Sequence, residues 1–172
     1  RNFVVARCRS QGLSLSAVSG TVSFGSTTIS GNTTQGILLS GSTATIDFGN
    51  TTVSNGTDGV SLQNNSSGIR TFGTLSISGV SATGFLHAVG GGSTNVTGAT
   101  TITNPGGTGI DIRSSTTAVT FAATTVSKIA AGTGVSLGGA GTGNSGAVTF
   151  ASLGITTGNG AGLVGAENSG TI

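Results

Sequence analysis

Glycine recurs at one fixed place along this chain: Gly12, Gly36, Gly59, Gly84, Gly109, Gly134 and Gly162. Each is followed at once by an apolar residue: Leu13, Ile37, Val60, Phe85, Ile110, Val135 and Leu163. Two residues further on stand Leu15, Leu39, Leu62, His87, Ile112, Leu137 and Gly165. A spacing of roughly 24 residues falls in the range of solenoid repeats. Such a unit cannot bury its apolar side alone, so neighbouring units must stack.

Two further columns share the period. One reads Val5, Ile29, Val53, Ile77, Ile102, Val126, Ile155. The other reads Phe24, Phe48, Phe72, Thr97, Phe121, Phe150, preceded two residues earlier by Val22, Ile46, Arg70, Asn95, Val119, Val148. In this alignment the step from the Phe column to the Ile/Val column is always five residues. An odd step breaks the alternation of sides, and a small residue, Gly25, Gly49, Gly73, Gly98, Ala122 or Ala151, marks the corner. Thr97 stands where a Phe is expected, and Phe85 where a smaller aliphatic is, which reads as an exchange of volume inside one core.

Each repeat holds three short segments of alternating polarity, such as TVSF, TTIS and GILL. Period-two alternation is the signature of a strand. The breaks carry Gly, Asn, Ser and Thr, which form turns, and no segment has useful helical spacing. The chain is therefore expected to be all-β. Three strands and three bends make one coil, and residues 1–172 form a single parallel β-helix of about seven coils. The Gly before the third strand is expected to meet a need for positive φ or for close backbone approach.

Composition agrees. Charged residues are only 6% and Trp, Tyr and Met are absent, which alone would permit disorder. A mean hydropathy of +0.29 and evenly spaced aliphatics oppose it. Six Lys and Arg, among them Arg1, Arg7 and Arg9, face four Asp and Glu, with no basic stripe interleaved with aromatics. Nucleic-acid binding is disfavoured. No apolar run is long enough to span a membrane. The lone Cys8 excludes an internal disulfide framework and reads as a small residue of an end coil. The chain opens RNFVV without Met and stops at Ile172 in the Val22 column. It is therefore expected to be a piece of a longer array, with further coils meeting its ends.

Stretches such as VTFAATTVSKIAAGTGVSL and TIDFGNTTVSNGTDGVSLQ resemble the β-strand repeats of large bacterial surface and autotransporter-like proteins. The resemblance implies a right-handed, pectin-lyase-like parallel β-helix. It also implies a non-catalytic structural or adhesive segment, secreted or held at the cell surface. Its partners would be a glycan, a host surface or another copy of itself.

Catalytic chemistry finds little to work with. Polysaccharide cleavage needs two cooperating carboxylates at short range. Asp47 and Asp111 fall on outward positions of different strands and coils, and Asp58 precedes a bend. His87, the only His, sits in an inward column without metal-ligand partners, so no metal or cofactor is expected. Sequons begin at Asn32, Asn50, Asn55, Asn64, Asn65 and Asn95, as a Ser/Thr-rich chain produces by chance. The distinctive surface is the outer side of the second strand, where hydroxyls pair: Thr28 and Ser30, Thr52 and Ser54, Ser76 and Ser78, Thr101 and Thr103, Thr125 and Ser127. This flat array resembles the Thr-x-Thr faces of ice-binding β-solenoids. Thr and Ser are also ordinary solvent-facing strand residues.

Overall fold

A computed structural model describes residues 2–128 and 131–172, so Arg1 of the amino-terminal arginine group lies outside the described residues. The chain forms a parallel β-solenoid of about seven turns at the expected spacing. Among the described residues there is no helix.

Three ladders of strands run the length of the stack. The third-strand ladder joins Leu13–Ser16, Ile37–Ser40, Val60–Gln63, Phe85–Gly90, Ile110–Ser115, Val135–Leu137 and Leu163–Gly165. Its register sets Leu13, Ile37, Val60, Phe85, Ile110, Val135 and Leu163 in one line, all in parallel pairing. The second-strand ladder places Val5, Ile29, Val53, Ile77, Ile102, Val126 and Ile155 in another. In the last two turns the first and second strands run on without a break, as Val119–Lys128 and Val148–Thr157.

The first-strand register corrects the sequence alignment in one coil. Val96, not Thr97, lies between Phe72 and Phe121, and Thr94, not Asn95, lies between Arg70 and Val119. Val96 is buried while Thr97 is exposed. The step to Ile102 is thus six residues in this coil, and the corner Thr97–Ala99 takes the extra one. The smaller Val96 leaves room that Phe85 fills from the third strand. The Phe85 ring meets Phe72 edge-on at 6.2 Å and Phe121 at 5.3 Å. Elsewhere the column stacks directly, Phe48 on Phe72 at 4.6 Å and Phe121 on Phe150 at 5.0 Å. Offset and edge-on aromatic pairs of this kind add to the stabilisation from burial.

The recurrent glycines serve close approach. None of Gly12, Gly36, Gly59, Gly84, Gly109, Gly134 and Gly162 has positive φ. A β-carbon on Gly36 would lie 2.2 Å from the Val53 Cγ1 methyl, and one on Gly12 the same distance from Ile29 Cγ2. Left-handed backbone occurs instead at the end of the third strand or just after it, at Ala17, Gly41, Asn64, Val89, Ser114 and Glu167. It recurs after the second strand at Arg7, Gly31, Asn55, Gly79 and Asn104.

The interior also contains a Thr column that alternation did not reveal. Thr27, Thr51, Thr100 and Thr124 point inward and are buried. The Thr27 hydroxyl donates to the Phe48 carbonyl at 2.9 Å, and the Thr124 hydroxyl to that of Ala122 at 3.1 Å. The Phe48 and Ala122 corner carbonyls are thereby satisfied from within, as buried backbone requires, while the Thr100 hydroxyl makes no such bond.

Candidate functional site

The hydroxyl face forms as two straight columns. Pairing sets Thr28, Thr52, Ser76, Thr101 and Thr125 in register, and beside them Ser30, Ser54, Ser78, Thr103 and Ser127. The first column is exposed and the second half-buried. Neighbouring strands set the repeat along the axis at ~4.8 Å, and alternate residues set the columns ~6.6–7 Å apart. The columns run out at both ends: Val4 and Ala6 occupy them in the first strand, Gly154 and Thr156 in the last. The face is uncharged because the outward places on either side of Ile29, Val53, Ile77, Ile102 and Val126 all hold Thr or Ser, while those five residues point inward and are buried.

Carboxylates are dispersed, each with a local partner. Asp47 accepts from the Gly49 N–H at 2.9 Å, Asp58 from Thr83 N–H at 3.0 Å, and Glu167 from Gly141 N–H at 2.6 Å. Asp111 lies on the outer side of the third ladder, 3.8 Å from the Arg113 guanidinium. Burial pushes its carboxyl above the ordinary range, and Arg113 partly opposes this. Asp47 belongs to the first ladder and Asp111 to the third, so the two do not meet. Among the described residues no three His, Cys, Asp or Glu side chains gather as a metal site.

A buried polar cluster lies between the third and fourth coils. Arg70 occupies the inward column of Ile46 and Val119 and is fully buried. Its guanidinium donates to the carbonyls of Ser67 at 2.7 Å and Gly68 at 3.3 Å, and also to that of Gly92, while Nε has no partner. Desolvation lowers its pKa to about 10. His87 is 1% exposed. Its Nδ1 lies 3.2 Å from the Thr94 hydroxyl and its Nε2 3.3 Å from that of Ser115. Desolvation, then the nearby Arg70 charge, lowers its pKa to about 4. The imidazole is neutral near pH 7. Ser115 donates its own proton to the Thr117 carbonyl at 3.0 Å, so its oxygen accepts from His87 Nε2–H. A serine so engaged, fully buried, is a structural partner and not a nucleophile. The sequence alignment places His87 inward, and it sets Arg70 in an otherwise largely apolar column without marking it as a buried charge. The signal was its place two residues before Phe72, in an apolar column.

The remaining candidates are local. Cys8 is half-buried and its thiol donates to the Gln11 carbonyl at 2.9 Å. Of the sequon asparagines, Asn32 and Asn65 are buried, Asn95 is half-buried, and Asn50, Asn55 and Asn64 are exposed. Asn65 is a corner residue: it accepts from Ser42 N–H at 3.0 Å and donates to the Leu39 carbonyl. Asn144 does the same three coils on, accepting from Ser115 N–H and donating to the Ile112 carbonyl, both at 2.9 Å. No helix of the described residues is long and apolar enough to cross a membrane. No known protein family, curated protein or solved structure matches the chain.

Proposed function

We propose that this chain is a non-catalytic structural or adhesive segment of a large exported bacterial surface protein. The observation that supports this best is the unbroken register of all three ladders, which makes a stiff rod with an uncharged hydroxyl face. In such a stack each coil is held by its neighbours, so the rod lengthens by adding coils without new design. Rows of Thr and Ser hydroxyls offer donors and acceptors at fixed spacing, a match for glycan hydroxyls. The parent reading frame is expected to encode an export signal and an anchoring domain, and protease treatment of intact cells should remove the segment. A parent that is a compact cytosolic enzyme overturns the reading. A glycan array probed with the soluble chain separates an adhesive role from a purely structural one. Product release from pectin-like polymers that is lost in Asp47→Asn or Asp111→Asn would show a polysaccharide-cleaving enzyme instead.

A second reading, ice binding, is favoured by one specific observation: five successive coils keep Thr28, Thr52, Ser76, Thr101 and Thr125 exposed and in register. Short side chains restrained by ladder neighbours order water at low entropic cost. A thermal-hysteresis and ice-shaping assay decides it. Activity lost in Thr101→Tyr places the ice contact on this face, and no activity in the unaltered chain removes the reading.

A further inference from the structure

The bend at the end of Phe85–Gly90 differs from its counterparts in the residues that fill it. Val89 takes the left-handed conformation, φ 51°, with its side chain exposed. In the neighbouring coils Gly41, Asn64 and Ser114 take that place. For a β-branched residue this region is strained. Three glycines follow. A β-carbon on Gly90 would lie 2.4 Å from His87 Nε2, and one on Gly92 would lie 2.0 Å from an Arg70 terminal nitrogen. The bend thus gives up its own side-chain packing to make room for the imidazole and the guanidinium. Outside it lies a shallow depression of about 260 Å³, bordered by Asn64, Val89, Gly91 and Ser114, into which the segment has space to move.

The charges around His87 are one-sided. Val60–Gln63, the strand on one side in the ladder, carries no ionisable group. Ile110–Ser115, on the other side, carries Asp111 and Arg113, and both lie on its outer face. Across the interior, Ser93–Val96 has no ionisable group, and Ile69–Phe72 supplies Arg70. No carboxylate among these strands faces inward to neutralise a second cation. Thr94 donates its proton to Nδ1 in the neutral network, so a proton on Nδ1 also obliges that hydroxyl to turn away.

We propose that the bend Val89–Gly92 is an acid-triggered opening point of the solenoid, released when His87 gains a charge beside Arg70. Protonated His87 leaves the interior through the strained bend, and the hydrogen bonds Gly91 N–H to Asn65 carbonyl and Thr116 N–H to Gly90 carbonyl are lost. The coils on either side, held by Ile and Val ladders, stay paired. The device is independent of the adhesive and ice-binding readings.

Hydrogen exchange of the chain, corrected for the intrinsic pH dependence of exchange, tests this. Between about pH 7 and pH 4.5, protection across 86–95 should fall by about tenfold or more, and that of Leu75–Ser78 and Thr100–Thr103 by clearly less. In His87→Leu, which restores the residue of Leu39 and Leu62, the local acid response should vanish. In Arg70→Met it should shrink, and the His87 Cε1 proton should titrate at a higher pH. Unchanged protection at the bend of the unaltered chain overturns the proposal. So does an acid response that persists in His87→Leu, or a loss of protection spread evenly over all three ladders.

Discussion

Gly84 approaches Ile102 so closely that a β-carbon on the glycine would lie 2.7 Å from the Ile102 Cγ2 methyl and 2.5 Å from the Gly109 carbonyl oxygen. The isoleucine belongs to the second-strand ladder and the glycine opens the third, so this pair fixes how near two walls of the coil can stand. Gly84→Ala is expected to destabilise the chain by about 1–3 kcal/mol through overpacking. That outweighs the ~0.4–1 kcal/mol gained from a less flexible unfolded chain. Gly154→Thr is the control. Its nearest neighbouring atom is 3.9 Å away, and stability should hold or rise slightly. Urea denaturation of both variants measures the difference.

Val96 and Phe85 share one volume. Val96→Phe alone should cost about 1–3 kcal/mol because Phe85 already fills the space. Phe85→Val alone should leave a cavity between Phe72 and Phe121 and cost about 2–4 kcal/mol. The double variant should recover most of the loss by restoring a continuous Phe stack. A double-mutant cycle with additive costs would show that the two side chains do not compensate.

The pH dependence of stability follows from His87. Its pKa is about 4 in the folded chain, against an ordinary value near 6.5. As pH falls below ~6.5 the unfolded chain binds the proton first, so stability declines down to about pH 4 and levels off below. The pKa difference alone corresponds to a loss on the order of 3 kcal/mol, and the loss seen by global unfolding is smaller where the opened bend takes up the proton with the coils still paired. Asp111, with its raised pKa, works in the opposite direction, but it is partly exposed and held by Arg113. Urea midpoints measured at several pH values should show the decline in the unaltered chain and lose it in His87→Leu.

Asn144→Ala should leave the buried Ser115 N–H without an acceptor, while the Ile112 carbonyl keeps the Gly138 N–H as its donor. The expected cost is about 1–3 kcal/mol for the one group so stranded. Asn168→Ala should cost less. Asn168 donates to the Leu137 carbonyl at 2.7 Å in the half-buried last coil, where water replaces the lost partner.

The sequence is most legible where the chemistry repeats without exception. The Gly–aliphatic step before the third strand, and the Ile/Val column of the second, carry their register on their face. Thr97 falls in the Phe column of the alignment only because the five-residue step is carried into the one coil with a longer corner. Val96, the apolar neighbour, was the better guide. Thr27 and Thr124 stayed hidden because Thr reads as solvent-facing, and their inward hydroxyls depend on carbonyls that only the folded corner presents. The left-handed corners escaped notice because Ala17, Val89 and Glu167 fill places where glycine would have announced them. The hydroxyl pairs were visible as a pattern. Their unequal exposure was not, since it depends on how each corner shades the adjacent column.

Asn144 closes its corner as Asn65 does, yet it follows the extra residues that begin after Leu137. Register is therefore restored before Val148 begins the next coil, and exposed Ala140 and Gly141 sit in a loop outside the ladders. Lengthening that loop costs only chain closure, about 0.6 kcal/mol for each doubling. The rod thus has a natural port for foreign peptide: a place where a graft of arbitrary length rides outside while the coils beneath keep their count.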